Sequence, residues 1–121
     1  MSNAAQAYAK TAQTTASPRE IEAQALLKAA NKLQEVVSNW NKPDTDVTSA
    51  VLFNRKLWSI LLSAVASDEN PQTVEVRQNI ANIGTFVMTQ TMEMQMNPKP
   101  ELLKPLIDIN CNLAAGLSGR A

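Results

Sequence analysis

The sequence contains no histidine and a single cysteine, Cys111. Its side chains therefore cannot assemble the imidazole and thiolate sets that hold zinc or other transition metals. A serine–histidine–carboxylate triad is excluded on the same ground, and one thiol cannot close an internal disulfide. Glycine is scarce, with three residues, the first at Gly84. No Asn-Gly or Asp-Gly pair separates alternating apolar and polar runs, so the marks of β-hairpins are missing. Aromatic residues make up 4% of the chain and none interleaves with a basic stripe, so a base-stacking platform for single-stranded RNA lacks its parts. Neither sign of charge is in excess, because eleven Lys plus Arg face eleven Asp plus Glu. Direct nucleic-acid binding is not expected from such a balance. Met1 to Lys10 lacks a charged start followed by an apolar block, and no window approaches the roughly 18 apolar residues of a spanning helix. No membrane insertion is expected, and the cytoplasm is the expected location.

What is present points to helices. The 121 residues, 45% of them hydrophobic, suit one domain over residues 1–121. Asn3 to Thr14 is rich in Ala with Tyr8 as its one large side chain, a weak N-terminal helix with little to bury. Ser17-Pro18-Arg19-Glu20 has the form of a capping box with Pro at the first helical position. The helix it opens aligns Ala25, Leu26, Ala29, Leu33, Val36, Val37 and Trp40, leaves Leu27 off the stripe, and ends at Asn41-Lys42-Pro43-Asp44. Asp44 or Asp46 caps the next helix, Val47 to Ala66. Its stripe of Val47, Ala50, Val51, Leu57, Trp58, Leu61, Leu62 and Val65 is widened by Phe53, Ile60 and Ala64, which predicts burial on two sides.

After Ser67 to Pro71, with Asn70 as cap and Pro71 as first helical residue, a helix runs to Met96. Its main stripe is Val76, Ile80, Ile83, Val87 and Met94, with Gly84 beside it. Asn97-Pro98-Lys99-Pro100 breaks it, and Pro105 fits only in the first turn of a last helix. There Leu102, Leu106, Ile109, Leu113 and Leu117 align with Asn110 at their edge, and the helix stops near Gly116 to Gly119. The expected fold is all-α, a small antiparallel bundle of four main helices plus the weaker N-terminal one.

No spacing focuses carboxylates, hydroxyls or lysines on one inward face, so no catalytic, cofactor-binding or metal residues are assigned, and enzymatic activity is not expected. Asp44 with Asp46, and Asp68 with Glu69, resemble helix-capping acids rather than a calcium loop. Cys111 falls at the margin of an apolar stripe and reads as an inert core or boundary thiol. Asn54 lies inside a stripe and needs a structural hydrogen bond, while Trp40 and Trp58 belong to the core. Gly84, which costs about 1 kcal/mol relative to Ala inside a helix, makes sense where another helix approaches closely. The remaining feature is a second strip on the Val74 to Met96 helix, formed by Val74, Ala81, Met88 and Met92. Thioethers fill irregular gaps and also make adaptable binding surfaces, so this strip is the candidate partner-binding site.

Several blocks, in order and spacing, resemble the FlaF family of flagellar biosynthesis regulators. They are Ala7-Tyr8-Ala9-Lys10-Thr11 with Ser17-Pro18-Arg19-Glu20; Leu52-Phe53-Asn54-Arg55-Lys56-Leu57-Trp58; Glu69-Asn70-Pro71 with Arg77-Gln78-Asn79-Ile80 and Gly84-Thr85-Phe86-Val87; and Leu106-Ile107-Asp108-Ile109-Asn110 with Gly116-Leu117. Cys111 stands where the family often has Arg. The resemblance implies a non-enzymatic protein of flagellin production, a chaperone that binds flagellin before export and a regulator of its translation or stability alongside FlbT. The alternative it leaves open is a post-transcriptional regulator acting on flagellin mRNA directly or through FlbT.

Overall fold

The computed structural model describes residues 18–119, which form four α-helices and one 3-10 turn. Helix α1 is Pro18–Ser38, α2 Val47–Ala66, α3 Val74–Met96 and α4 Leu103–Leu117, with the 3-10 turn Pro100–Leu102 leading into α4. The expected N-terminal helix and Ser17 lie outside the described residues.

Helix α1 starts on Pro18, whose ring presets the helical φ, and carries Glu20 in its first turn. It buries Ala23, Leu26, Ala29, Ala30, Leu33 and Val36, a face in which alanines alternate with larger side chains so that neighbouring helices can come close. At its end the Asn39 amide donates to Glu35 O (2.8 Å) and the Thr45 hydroxyl donates to Asn39 O, closing the connection without a glycine. Of the two aspartates that could open α2, Asp46 does so, its Oδ1 accepting from Ser49 N at 2.9 Å.

The cap expected at Asn70 for α3 is displaced. Asn70 Nδ2 donates to Ala64 O (3.0 Å) and its Oδ1 accepts from Gln72 N (2.9 Å), so the side chain is committed to the exit of α2. Thr73 caps α3 instead, accepting from Val76 N at 3.2 Å, and Pro71 precedes the helix. Arg77 reaches back from α3 and donates from Nε to Val65 O (2.8 Å), which satisfies another terminal carbonyl of α2. Pro105 falls in the first turn of α4 as its missing N–H requires.

The helices form an antiparallel bundle. Helix α1 packs most extensively against α4, α2 packs against α3 and α1, and α3 barely touches α4 beyond the 3-10 turn. One core, centred on Leu26, Leu33, Trp58, Val87, Met94, Leu103 and Leu106, is shared by all four helices. Gly84 sits where α3 meets α2, and a Cβ added there would lie 2.3 Å from Leu62 Cδ2 and 2.9 Å from Leu62 Cγ. The close approach expected at this glycine is therefore present.

Four expectations from periodicity need correction. Ile60 does not widen the buried arc of α2, since it is 58% exposed, and Val76 leaves the core stripe of α3 at 38%. On α4 the fully buried line is Leu103, Leu106, Asn110 and Ala114, with Leu102, Ile109, Leu113 and Leu117 half-buried against the core beside it, which puts Asn110 at the centre instead of the edge. Leu102 belongs to the tighter 3-10 turn, so it does not set the phase of the α-helix that follows. Cys111, next to that centre, is exposed and is neither a core nor a boundary thiol.

Candidate functional site: a buried amide cluster and an apolar strip

Two features stand out from an otherwise ordinary helical core. The first is polar and lies inside it. Asn54 and Trp58, one turn apart on α2, face Asn110 on α4. Trp58 Nε1 donates to Asn110 Oδ1 at 3.0 Å, and Asn110 Nδ2 donates to Asn54 Oδ1 at 2.7 Å and to Leu26 O of α1 at 3.4 Å. One amide thus ties three helices together, at exposures of 1% for Asn54 and 0% for Trp58 and Asn110. The structural hydrogen bond expected of Asn54 is made by its oxygen. Its Nδ2 is buried with no acceptor. Turning the Asn54 amide over would bring two donors face to face, and turning Asn110 would oppose its Nδ2 to the indole N–H, so the orphan is fixed by its neighbours. Periodicity did not find this cluster, because a polar residue on an apolar stripe shows that a partner is needed but not which one.

The second feature is the strip on α3. Ala81 and Met88 are half-buried against the core, on the ridge of Arg77, Ala81, Gly84 and Met88 that faces α2. Val74 and Met92, at the two ends, are exposed at 77% and 57%, and Met96 continues the apolar surface. The structure therefore brings Ala81 and Met88 together at the flank of the α2–α3 contact and leaves Val74 and Met92 on the outside. A groove of about 300 Å³ at the Val74 end of the strip is lined by Leu62, Val65 and Ala66 of α2 and by Val74, Arg77, Gln78 and Ala81 of α3. Trp58 is fully buried, as the sequence suggests, while Trp40, beyond the end of α1, is only half-buried.

The electrostatics are mild. Lys28 and Lys32 of α1 hold their ammonium groups 5.6 and 5.2 Å from the centroid of the Phe53 ring on α2. Among the described residues the ion pair present is Arg77 with Asp68, at 4.0 Å and with Asp68 fully in solvent. Burial pushes the Glu22 carboxyl above its ordinary value, and the nearby Arg19 guanidinium opposes that shift in part. A cavity of about 370 Å³ between the end of α1 and the start of α2 is lined by side chains of both charges, including Lys32, Glu35, Lys42, Asp44 and Asp46. No group of three or more His, Cys, Asp or Glu side chains among the described residues is placed to hold a metal ion. No described helix is long and apolar enough to cross a membrane.

Fold and surface together define a small all-α bundle whose longest helix carries an apolar strip exposed at Val74 and Met92. The model of the family described as flagellar protein FlaF matches residues 4–117. The chain belongs to the FlaF family. No curated protein and no solved structure matches it.

Proposed function

We propose that this protein is a non-enzymatic flagellin-binding export chaperone of the cytoplasm, and that by holding flagellin it tunes flagellin synthesis and filament assembly, with FlbT as a second partner. The observation that carries the reading is the exposed apolar strip of Val74 and Met92, continued inward by Ala81 and Met88, on a chain of a flagellar family. Segments that polymerise as amphipathic helices are kept apart by laying them on an apolar helical surface, with anchors spaced at i, i+3, i+4 and i+7. Methionine suits such a surface because its flexible thioether adapts to different contours.

The test is calorimetry with purified flagellin and variants at the outer positions. Val74→Glu and Met92→Glu keep a parental circular dichroism spectrum, because both side chains already face solvent, and lose flagellin. Undiminished binding by the folded variants removes the strip as the site. Absence of binding by the parent chain at tens of micromolar removes the chaperone reading. In that event gel shifts with the flagellin leader at low salt decide whether direct action on mRNA takes its place, since such binding would weaken steeply as salt is raised.

A further inference from the structure

The apolar strip of α3 borders a second helix. Gly84 of α3 meets Leu62 of α2, Arg77 reaches Val65 O, and towards the other end Arg55 Nη1 donates to Gln95 Oε1 at 3.5 Å. These contacts mark the facing sides of the two antiparallel helices. Ala81 and Met88 flank that side on α3, and Leu52, Ser59 and Ala66 flank it on α2, because residues three and four apart share a face. The strip is therefore one bank of a shallow cleft. On the other bank Leu52, 45% exposed and just before Arg55, lies level with Met96 in the last turn of α3. The cleft is hollowed near both ends. Ala81 lies in the wall of the groove at the Val74 end, and a second groove of about 260 Å³ lies among Val47, Thr48 and Val51 of α2 and Met94, Gln95 and Pro98. Residues 81 and 95 are separated by a rise of about 21 Å, nearly four whole turns, and Met88 lies midway between them.

Charge is segregated across the same two helices. Helix α2 carries Arg55 and Lys56 and no Asp or Glu. On α3, Glu75 and Glu93 each lie about two and a half turns from Gly84, which puts both carboxylates on the side away from α2. Asp68, in the loop beyond α2, pairs with Arg77 and balances that end of the cleft. Among the described residues Arg55 has no ion-pair partner, and it is exposed. We propose that α2 and α3 together form the docking cleft, and that its occupant is an amphipathic helix of at least four turns. This guest has large apolar side chains at i, i+7 and i+14 and carboxylates along the edge that faces α2. Its outer anchors enter the two grooves, and the middle one rests on the adaptable Met88 side chain. An acidic edge meets Arg55 and Lys56, whereas a basic edge would set like charges against them. That flagellin supplies this helix rests on the chaperone reading above; the chemistry the cleft selects does not.

Two synthetic helical peptides test the cleft on the full chain, both with leucines at i, i+7 and i+14 and differing only in Glu or Lys along one edge. Fluorescence anisotropy at low salt is expected to show the Glu peptide binding about tenfold more tightly than the Lys peptide. Arg55→Glu removes or reverses this preference with an unchanged circular dichroism spectrum, since the side chain is exposed. Moving the last leucine from i+14 to i+12 turns it off the shared face and weakens binding about tenfold. Purified flagellin is the second probe, and Arg55→Glu and Leu52→Ser each weaken its binding. Equal affinity for the two peptides, indifference to the leucine spacing, or no peptide binding at tens of micromolar chain each overturn the proposal. Flagellin that responds to Val74→Glu and Met92→Glu but not to Arg55→Glu or Leu52→Ser confines the contact to α3, which overturns the two-helix cleft and leaves the proposed function intact. The expected peptide preferences with no flagellin bound defeat the chaperone reading and leave the cleft standing.

Discussion

Gly84→Ala is expected to lower stability, although alanine is the better helix former. Replacing an interior glycine by alanine favours a helix by about 1 kcal/mol. Here the new methyl would sit 2.3 Å from Leu62 Cδ2 and 2.9 Å from Leu62 Cγ, so more than the tip of that side chain has to move. Overpacking of this kind costs about 1–3 kcal/mol. The balance is a net loss of about 1 kcal/mol, which for a chain of this size lowers the melting midpoint by about 4 °C. The decisive measurement is the same substitution in a Leu62→Ala background. With the obstructing side chain gone, only the propensity gain remains, and Gly84→Ala should then stabilise by about 1 kcal/mol, a coupling between the two sites of about 2 kcal/mol. Urea unfolding followed by circular dichroism gives the four free energies. A stabilising Gly84→Ala in the parent chain, or the same loss in both backgrounds, would refute the assignment of this glycine to the α2–α3 contact.

Trp58→Ala removes a fully buried indole and leaves Asn110 Oδ1 without its donor, so it should cost about 3–5 kcal/mol, against roughly 1–2 kcal/mol for Trp40→Ala at a half-buried position. Denaturant midpoints of the two variants check the ranking. Glu22 has a folded-state pKa above its unfolded value, so folding favours the protonated form, and stability falls as pH rises from the unfolded value near 4.5 through the raised one. Glu22→Gln should therefore melt slightly above the parent at pH 7 and together with it below pH 4.5, as scanning calorimetry at the two pH values would show.

The four helices are legible because each carries an apolar stripe of helical period and is bounded by proline or by a capping side chain. Gly84 is legible for a different reason: a glycine where propensity opposes it signals a close approach. The outcome is less faithful wherever a polar side chain chooses its partner in three dimensions. Asn70 has the form of a cap for α3, yet Ala64 O and Gln72 N occupy it, and Thr73 takes the role. Asn110 looks like an edge residue because its neighbours in sequence are leucines and isoleucines, and only Trp58 and Asn54, more than fifty residues away, account for its central place. The strip of Val74, Ala81, Met88 and Met92 is legible as a periodicity, but its division into two half-buried and two exposed residues depends on how near α2 lies, which no spacing within α3 encodes.

The broadest helix contact in the molecule joins the first described helix to the last, bridged at its middle by the Asn110 bond to Leu26 O across 84 residues. On the ribosome, α1 therefore emerges long before the surface that covers it, and α2 and α3 offer it only a partial shelter. The nascent chain keeps an uncovered row of Leu26, Ala30 and Leu33 until α4 is made, and a transcript ending before α4 would release a chain that carries this row unprotected. Completion of the bundle therefore waits on α4 rather than on the order in which the other helices appear.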